Sequence, residues 1–288
     1  MRAIPPPPLL ARLTDGTRNY SKHHRLLAKH ILDHYQNVAF ATVKQLSQQA
    51  GVSEATIVRF AKALDFSGYP GLQQEIRRMV RADLKGTERF ALTAQPRSAA
   101  EAGPLDAVID KEQQNINGLR ETLDRKALTR AVKLLHGAST VAIIGTRSTA
   151  PLAHHLWFGL DKIGVAATRF LAVTPETYGQ LDRLDRKACV VVIGFPRYLR
   201  ETVECLRFAR QRSLTTVTIT DSPFSPLKGD VTLHTPAESA SYFAAHCAPL
   251  ILINGLLHAV SLRDPPRTLA ALKRFEALAE QQAYFVET

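Results

Sequence analysis

Two periods of apolar residues divide the chain. Through residues 9–85 hydrophobic positions recur every three or four residues, the spacing of a helix with one buried face. Beyond residue 105 they gather into short continuous runs separated by further helical patterns. In the first region Leu26, Leu27, His30, Ile31 and His34 share one stripe. Thr42 is placed to cap a second helix that turns Val43, Leu46 and Ala50 inward. Ser53 is placed to cap a third, with Ile57, Phe60, Ala61 and Leu64 inward, and a fourth is predicted over 70–84. Four helices joined by such short turns predict a small all-helical domain over 9–85.

Residues 86–104 shift to small and polar types and include Pro96 and Pro104, a linker composition. Two more helices are predicted over 105–123 and 125–136. Apolar, β-branched runs follow at 140–144, 166–171, 189–193, 215–219 and 231–233, most of them with helical patterns between. Runs this short and this continuous are strands covered on both faces, so the second region predicts a doubly wound parallel α/β sheet. It spans 105–288, with its core over about 130–265, and a closing helix is expected over 267–282. The apolar window 247–262 is interrupted by Pro249, Asn254 and His258 and falls short of the ~20 apolar residues of a membrane span. It predicts a buried helix. The fold class is thus α plus α/β, an all-helical domain followed by a doubly wound one.

Charge sharpens the division. Lys and Arg number 37 against 26 Asp and Glu, a net charge of +11, and residues 1–90 carry 14 against 7. Most of the positive field lies on the helical domain, as suits a domain that meets a polyanion. A composition of 45% hydrophobic and 22% charged residues excludes disordered and fibrous classes. The cysteines, Cys189, Cys205 and Cys247, are scattered without metal-ligand spacing, which excludes a disulfide framework and points to a reducing compartment. The N-terminus shows no apolar segment of signal-peptide length. A cytoplasmic protein is expected, with no membrane partner, no cofactor and no metal.

Residues 43–62 have the spacing of a helix-turn-helix. Gly51 supplies a left-handed residue that stops the first helix, and Val52 plugs the turn. Ser53 caps the second helix and offers its hydroxyl to a phosphate. With Ile57, Phe60 and Leu64 inward, Glu54, Ala55, Thr56, Arg59 and Lys62 are left for a major groove or solvent. Arg59 suits either a bidentate bond to guanine or neutralisation of a phosphate.

These residues, above all Val52-Ser53, Thr56, Arg59-Phe60, Leu64 and Phe66-Ser67-Gly68-Tyr69, resemble the RpiR family of bacterial transcriptional regulators. That family joins an N-terminal helix-turn-helix to a C-terminal SIS (sugar isomerase) domain, and the order and sizes found here agree over nearly the whole chain. Two departures are mild: Asp65 stands at a helix end where glycine is usual, and Ser47 where an alanine usually packs. The candidate DNA-facing set is Lys44, Ser53, Glu54, Ala55, Thr56, Arg59, Lys62 and Tyr69.

In an open α/β sheet, ligands sit beyond the carboxyl ends of the strands near a topological switch point. Three loops of this chain follow strands: 145–149, 194–200 and 220–227. The first and third are similar to the hydroxyl-rich turns with which SIS domains cradle phosphosugars. The second departs, because the family's Ser-x-Ser-Gly-x-Thr turn is replaced by Pro196, Arg197, Tyr198 and Arg200. Guanidinium groups still suit a carboxylate or phosphate. The effector candidates are Gly145, Arg147, Ser148, Arg197, Tyr198, Arg200, Thr220, Ser222 and Ser225, with Ser148, Arg197 and Ser222 expected to converge.

No pair of carboxylates stands out for acid–base work, so no catalytic residue is assigned and the chain is not expected to be an enzyme. The predicted function is a transcriptional regulator whose affinity for a roughly palindromic double-stranded operator changes when a small anionic metabolite, a phosphosugar or another, binds the SIS-like domain. A homodimer or homotetramer is expected. The alternative is a phosphosugar isomerase with an accessory helical domain.

Overall fold

The computed structural model describes residues 8–13, 20–83, 87–88, 90 and 103–286. The chain divides into two compact units, Met1–Gln95 and Pro96–Thr288.

In the first unit, α1 (Pro8–Leu13) precedes α2 (Lys22–Val38), α3 (Val43–Ala50), α4 (Glu54–Ala63) and α5 (Tyr69–Asp83). The helix α1 was not predicted. It is a single short segment after a proline run, and its only signal is the i, i+4 pair Leu9 and Leu13, both of which are buried. The other four helices lie where predicted, but the first stripe is corrected: Leu26 and His34 are exposed, and α2 turns Leu27, Ala28, Ile31 and Val38 inward. Leu84 and most of the expected linker over 86–104 fall outside the described residues. The stripes meet in one core of Leu27, Ile31, Leu46, Ile57, Phe60 and Leu72, all fully buried.

The turn between α3 and α4 is fixed by local bonds. Thr42 accepts from the Gln45 amide at 3.2 Å, and the Gln45 side chain accepts from the Thr42 amide at 2.7 Å, a reciprocal cap. Gly51 closes α3 at φ 65°, ψ 34°, and the buried Val52 fills the turn behind it. Ser47, the residue in place of alanine, donates its hydroxyl to the Val52 carbonyl at 2.6 Å. Asp65 adopts φ 69°, the left-handed conformation that a glycine would supply at that helix end.

The second unit opens with α6 (Pro104–Thr122) and α7 (Arg125–Gly137). Strands and helices then alternate: β1 (Val141–Ile144), α8 (Ala150–Lys162), β2 (Ala167–Phe170), α9 (Pro175–Asp182), β3 (Cys189–Ile193), α10 (Arg200–Gln211), β4 (Thr215–Thr220) and β5 (Val231–His234). The last two helices are α11 (Cys247–Ser261) and α12 (Pro265–Gln281). The strands form one parallel sheet in the order β2-β1-β3-β4-β5. Alternate residues feed its two faces. Val141, Ile143, Val191 and Val217 pack with residues of α6, α7, α8 and α11, whereas Ala142, Ile144, Val190 and Val192 pack with residues of α9 and α10. Because both faces are covered, the strands read as continuous apolar runs. No helix among the described residues is long and apolar enough to cross a membrane.

The sheet reverses its winding direction between β1 and β3. Their carboxyl ends, with the helices α8 and α10 that follow, therefore frame a crevice at the switch point.

Candidate functional site

In the helical unit, α4 presents one exposed face. Ser53, Glu54, Ala55, Arg59 and Lys62 are exposed, as is Lys44 on α3. Ser53 caps α4 by accepting from the Thr56 amide at 3.2 Å, and its hydroxyl lies 2.8 Å from that of Thr56. Arg59 donates to the Thr56 hydroxyl at 3.3 Å. Thr56 itself is buried, so it positions Arg59 and Ser53 rather than facing outward.

Tyr69 is a correction. It is 5% exposed, and its hydroxyl donates to the Ala41 carbonyl at 2.7 Å, locking α5 to the segment between α2 and α3. Burial pushes its phenol above the usual tyrosine range. A phenol bound inside the core cannot contact a nucleic acid. Two cations are likewise engaged with carbonyls: Arg77 donates to Ala39 at 2.7 Å and Arg25 to Tyr20 at 2.8 Å.

In the second unit, the crevice between β1 and β3 is lined by Thr146, Ser148, Thr149, Arg197, Tyr198 and Thr202, among others. Gly145 shapes it without facing it, because a Cβ there would stand 2.7 Å from the Ala153 Cβ and 2.9 Å from the Thr149 carbonyl oxygen. Only glycine lets α8 start so close to the strand end. The exposed Arg197 joins these hydroxyls, and α10 begins beside it without a side-chain cap; on the α8 side the Ala150 amide is taken by the Arg147 carbonyl and Pro151 has no N–H. This arrangement favours an anion. The free volume is about 20 Å³, enough for a water molecule and far below a sugar.

The third loop closes one side. Tyr198 donates its hydroxyl to Asp221, which also accepts from the Thr220 hydroxyl at 3.3 Å. Burial first, then the Asp221 charge, pushes the Tyr198 phenol far above its usual range. Ser222, Thr220 and Ser225 do not line the crevice. All three are buried: the Ser222 hydroxyl accepts from the Phe224 amide at 3.1 Å, and the Ser225 hydroxyl accepts from Thr220 at 2.8 Å and from the Leu227 amide at 3.1 Å. The expected meeting of Ser148, Arg197 and Ser222 is thus met by the first two only. Arg147 lines a separate open groove of about 700 Å³ with His154, His155, Phe158 and Leu171. Arg200 is the exposed first residue of α10.

Sequence reasoning passed over Thr146, Thr149 and Thr202. Thr146 and Thr202 stand hydroxyl to hydroxyl at 3.2 Å, and Thr149 donates to the Thr146 carbonyl at 3.0 Å. Their signal was present, two threonines within the first loop and one in the first turn of α10, each beyond a strand end. The buried thiols are poor nucleophiles: burial raises Cys189 to about 12 and Cys205 to about 11. Among the described residues no three His, Cys, Asp or Glu side chains group as a metal site.

A small helical domain with a helix-turn-helix, followed by a parallel α/β sheet with a switch-point crevice, is the architecture of a two-domain transcriptional regulator class. The helix-turn-helix domain of the rpiR family matches residues 8–81 and the SIS domain matches residues 134–259. The chain belongs to the RpiR family and is a helix-turn-helix transcriptional regulator with a SIS domain. It is 25% identical to the HTH-type transcriptional regulator HexR of Escherichia coli K12 over 95% of both chains. It is 29% identical to the uncharacterized HTH-type regulator YbbH of Bacillus subtilis over 68% of each. The sugar isomerase domain of an RpiR transcription factor from Sphaerobacter thermophilus is 25% identical, with a TM-score of 0.59 over 60% of this chain and 98% of that one. The Vibrio vulnificus NanR protein, in complex with ManNAc-6P, shares the fold at 20% identity, with a TM-score of 0.60 over 95% of this chain and 98% of that one.

Proposed function

We propose that this regulator binds a roughly palindromic duplex operator through α4 and adjusts that binding when a small anion enters the crevice between β1 and β3. The exposed Arg197 on the wall of this switch-point crevice, beside the uncapped start of α10, carries the effector reading. Ser148, Thr146, Thr149 and Thr202 supply hydroxyls on the same walls. The crevice is narrow, so the ligand enters only as residues 194–199 move and the Tyr198–Asp221 bond yields. A ligand that binds the open form better shifts the balance between the two. The sugar phosphate bound by NanR makes phosphosugars the first class to test.

On the DNA side, Ser53, Glu54, Ala55, Arg59, Lys62 and Lys44 form the reading and phosphate-binding surface. The chain acts as a homodimer or homotetramer, a reading supported by apolar residues left exposed on α6 and α11, Leu105, Val108, Ile109 and Ile251. It catalyses no reaction, so aldose–ketose conversion of phosphosugars is expected to be undetectable.

The test is a thermal-shift screen of phosphosugars, sugar acids and inorganic phosphate on the full chain. A ligand that raises the melting temperature of the protein, but not of Arg197→Ala, supports the site. No shift with any of them overturns the effector half of the reading.

A further inference from the structure

His24 belongs to α2, yet its ring packs against α4. Its ring centroid lies 5.3 Å from that of Phe60 and 6.4 Å from that of Tyr20, while Tyr20 and Phe60 are 5.7 Å apart. Phe60 is fully buried, so the imidazole is pinned at the seam where α2 meets α4 and stays partly open to solvent. Phe60 follows Arg59 in the chain, and the charge of Arg59 is felt at His24. Any anion that comes to Arg59 also comes into the field of His24.

We propose that His24 is a proton-coupled contact to the DNA backbone: as a phosphate settles beside Arg59, the imidazole takes a proton from solvent and pairs with it. This rests on the reading of α4 as the DNA-facing helix.

The charges around the ring set the direction. Three influences hold His24 below the usual histidine value in the free protein: partial burial, then Arg59 from α4, then His23 from its own helix. Tyr20 and Phe60 are the other groups against the ring. A phosphate neutralises the Arg59 field and adds an opposite charge, so it raises the histidine value. The bound form therefore holds more protons than the free form. The added affinity is complete below the free-protein value of His24 and is lost as pH rises through the higher, DNA-bound value. Arg25, nearby on the same helix, donates to the Tyr20 carbonyl.

The probe is a duplex recovered by selecting random-sequence DNA on the full-length protein. Its affinity is measured from about pH 5.5 to 8.5 at constant ionic strength, for the protein, His24→Gln and His23→Gln. Affinity of the unaltered protein is expected to fall about threefold or more across the range, with His23→Gln keeping most of the slope and His24→Gln losing it. In parallel, the imidazole resonances of the unaltered protein are titrated with and without the duplex, and the midpoint of His24 is expected to rise on binding. A His24→Gln variant that keeps the slope, or a His24 midpoint that stays or falls with DNA, overturns the proposal while leaving DNA binding intact. Should His24→Gln not fold, the resonance titration decides alone. If selection recovers no duplex, the DNA reading fails and this proposal with it.

Discussion

Tyr198, in the loop after β3, donates its hydroxyl to Asp221 in the loop after β4, and the bond ties two of the three strand-end loops together beside the crevice. Asp221 is buried and also accepts from the Thr220 hydroxyl at 3.3 Å. Tyr198→Phe removes one donor from a buried carboxylate. A stability loss of about 1.5–3 kcal/mol is expected in urea unfolding, together with faster amide exchange over residues 194–199. Unchanged stability and exchange would show that this bond does not hold the loop.

Gly51 stops α3 at φ 65°, and a Cβ built there meets nothing within 4 Å. The cost of Gly51→Ala is therefore backbone conformation alone, about 1 kcal/mol in denaturant unfolding. A loss several times larger would mean that the turn between α3 and α4 has rearranged.

Tyr69 separates a structural role from a DNA-facing one. Tyr69→Phe removes the hydrogen bond to the Ala41 carbonyl and is expected to lower stability by about 1 kcal/mol. Its DNA affinity, measured well below the melting temperature, should match that of the unaltered protein. A large affinity loss with unchanged stability would restore Tyr69 to the interface.

Arg59 is exposed and oriented by the Thr56 hydroxyl. Arg59→Ala is expected to weaken binding to a selected duplex by roughly 1–3 kcal/mol if the guanidinium reads a base. Uniform weakening on all sequences, with a shallower salt dependence, would instead mark a phosphate contact. Unchanged affinity would remove Arg59 from the surface.

The sequence carried the fold further than the site, and particular residues show why. Thr42, Gly51 and Ser53 act through bonds to residues within a few positions, so their roles are written locally. The run 189–193 is apolar at every position because both sheet faces are covered, and that too is local. Strand order is not: nothing in the run 140–144 says that β1 lies between β2 and β3, yet that order creates the crevice. Ser222 and Ser225 have the look of ligand hydroxyls, but each accepts an amide two residues ahead and holds its own turn. Tyr69 has an amphipathic side chain whose two ends suit a surface or a core equally, and only the carbonyl of Ala41, 28 residues away, decides. Arg147 adjoins Ser148 in sequence, while the left-handed backbone at Arg147, φ 51°, accompanies its placement in the neighbouring groove.

The central claim is that an anion in the crevice changes how the helix-turn-helix holds DNA. The direct measurement is the affinity of the full-length protein for a selected duplex, titrated with whichever phosphosugar or sugar acid raises its melting temperature. The account predicts that affinity changes with ligand, that Arg197→Ala binds DNA normally without ligand, and that its affinity no longer responds. An affinity indifferent to the bound ligand, or an Arg197→Ala variant that responds as fully as the unaltered protein, would contradict it.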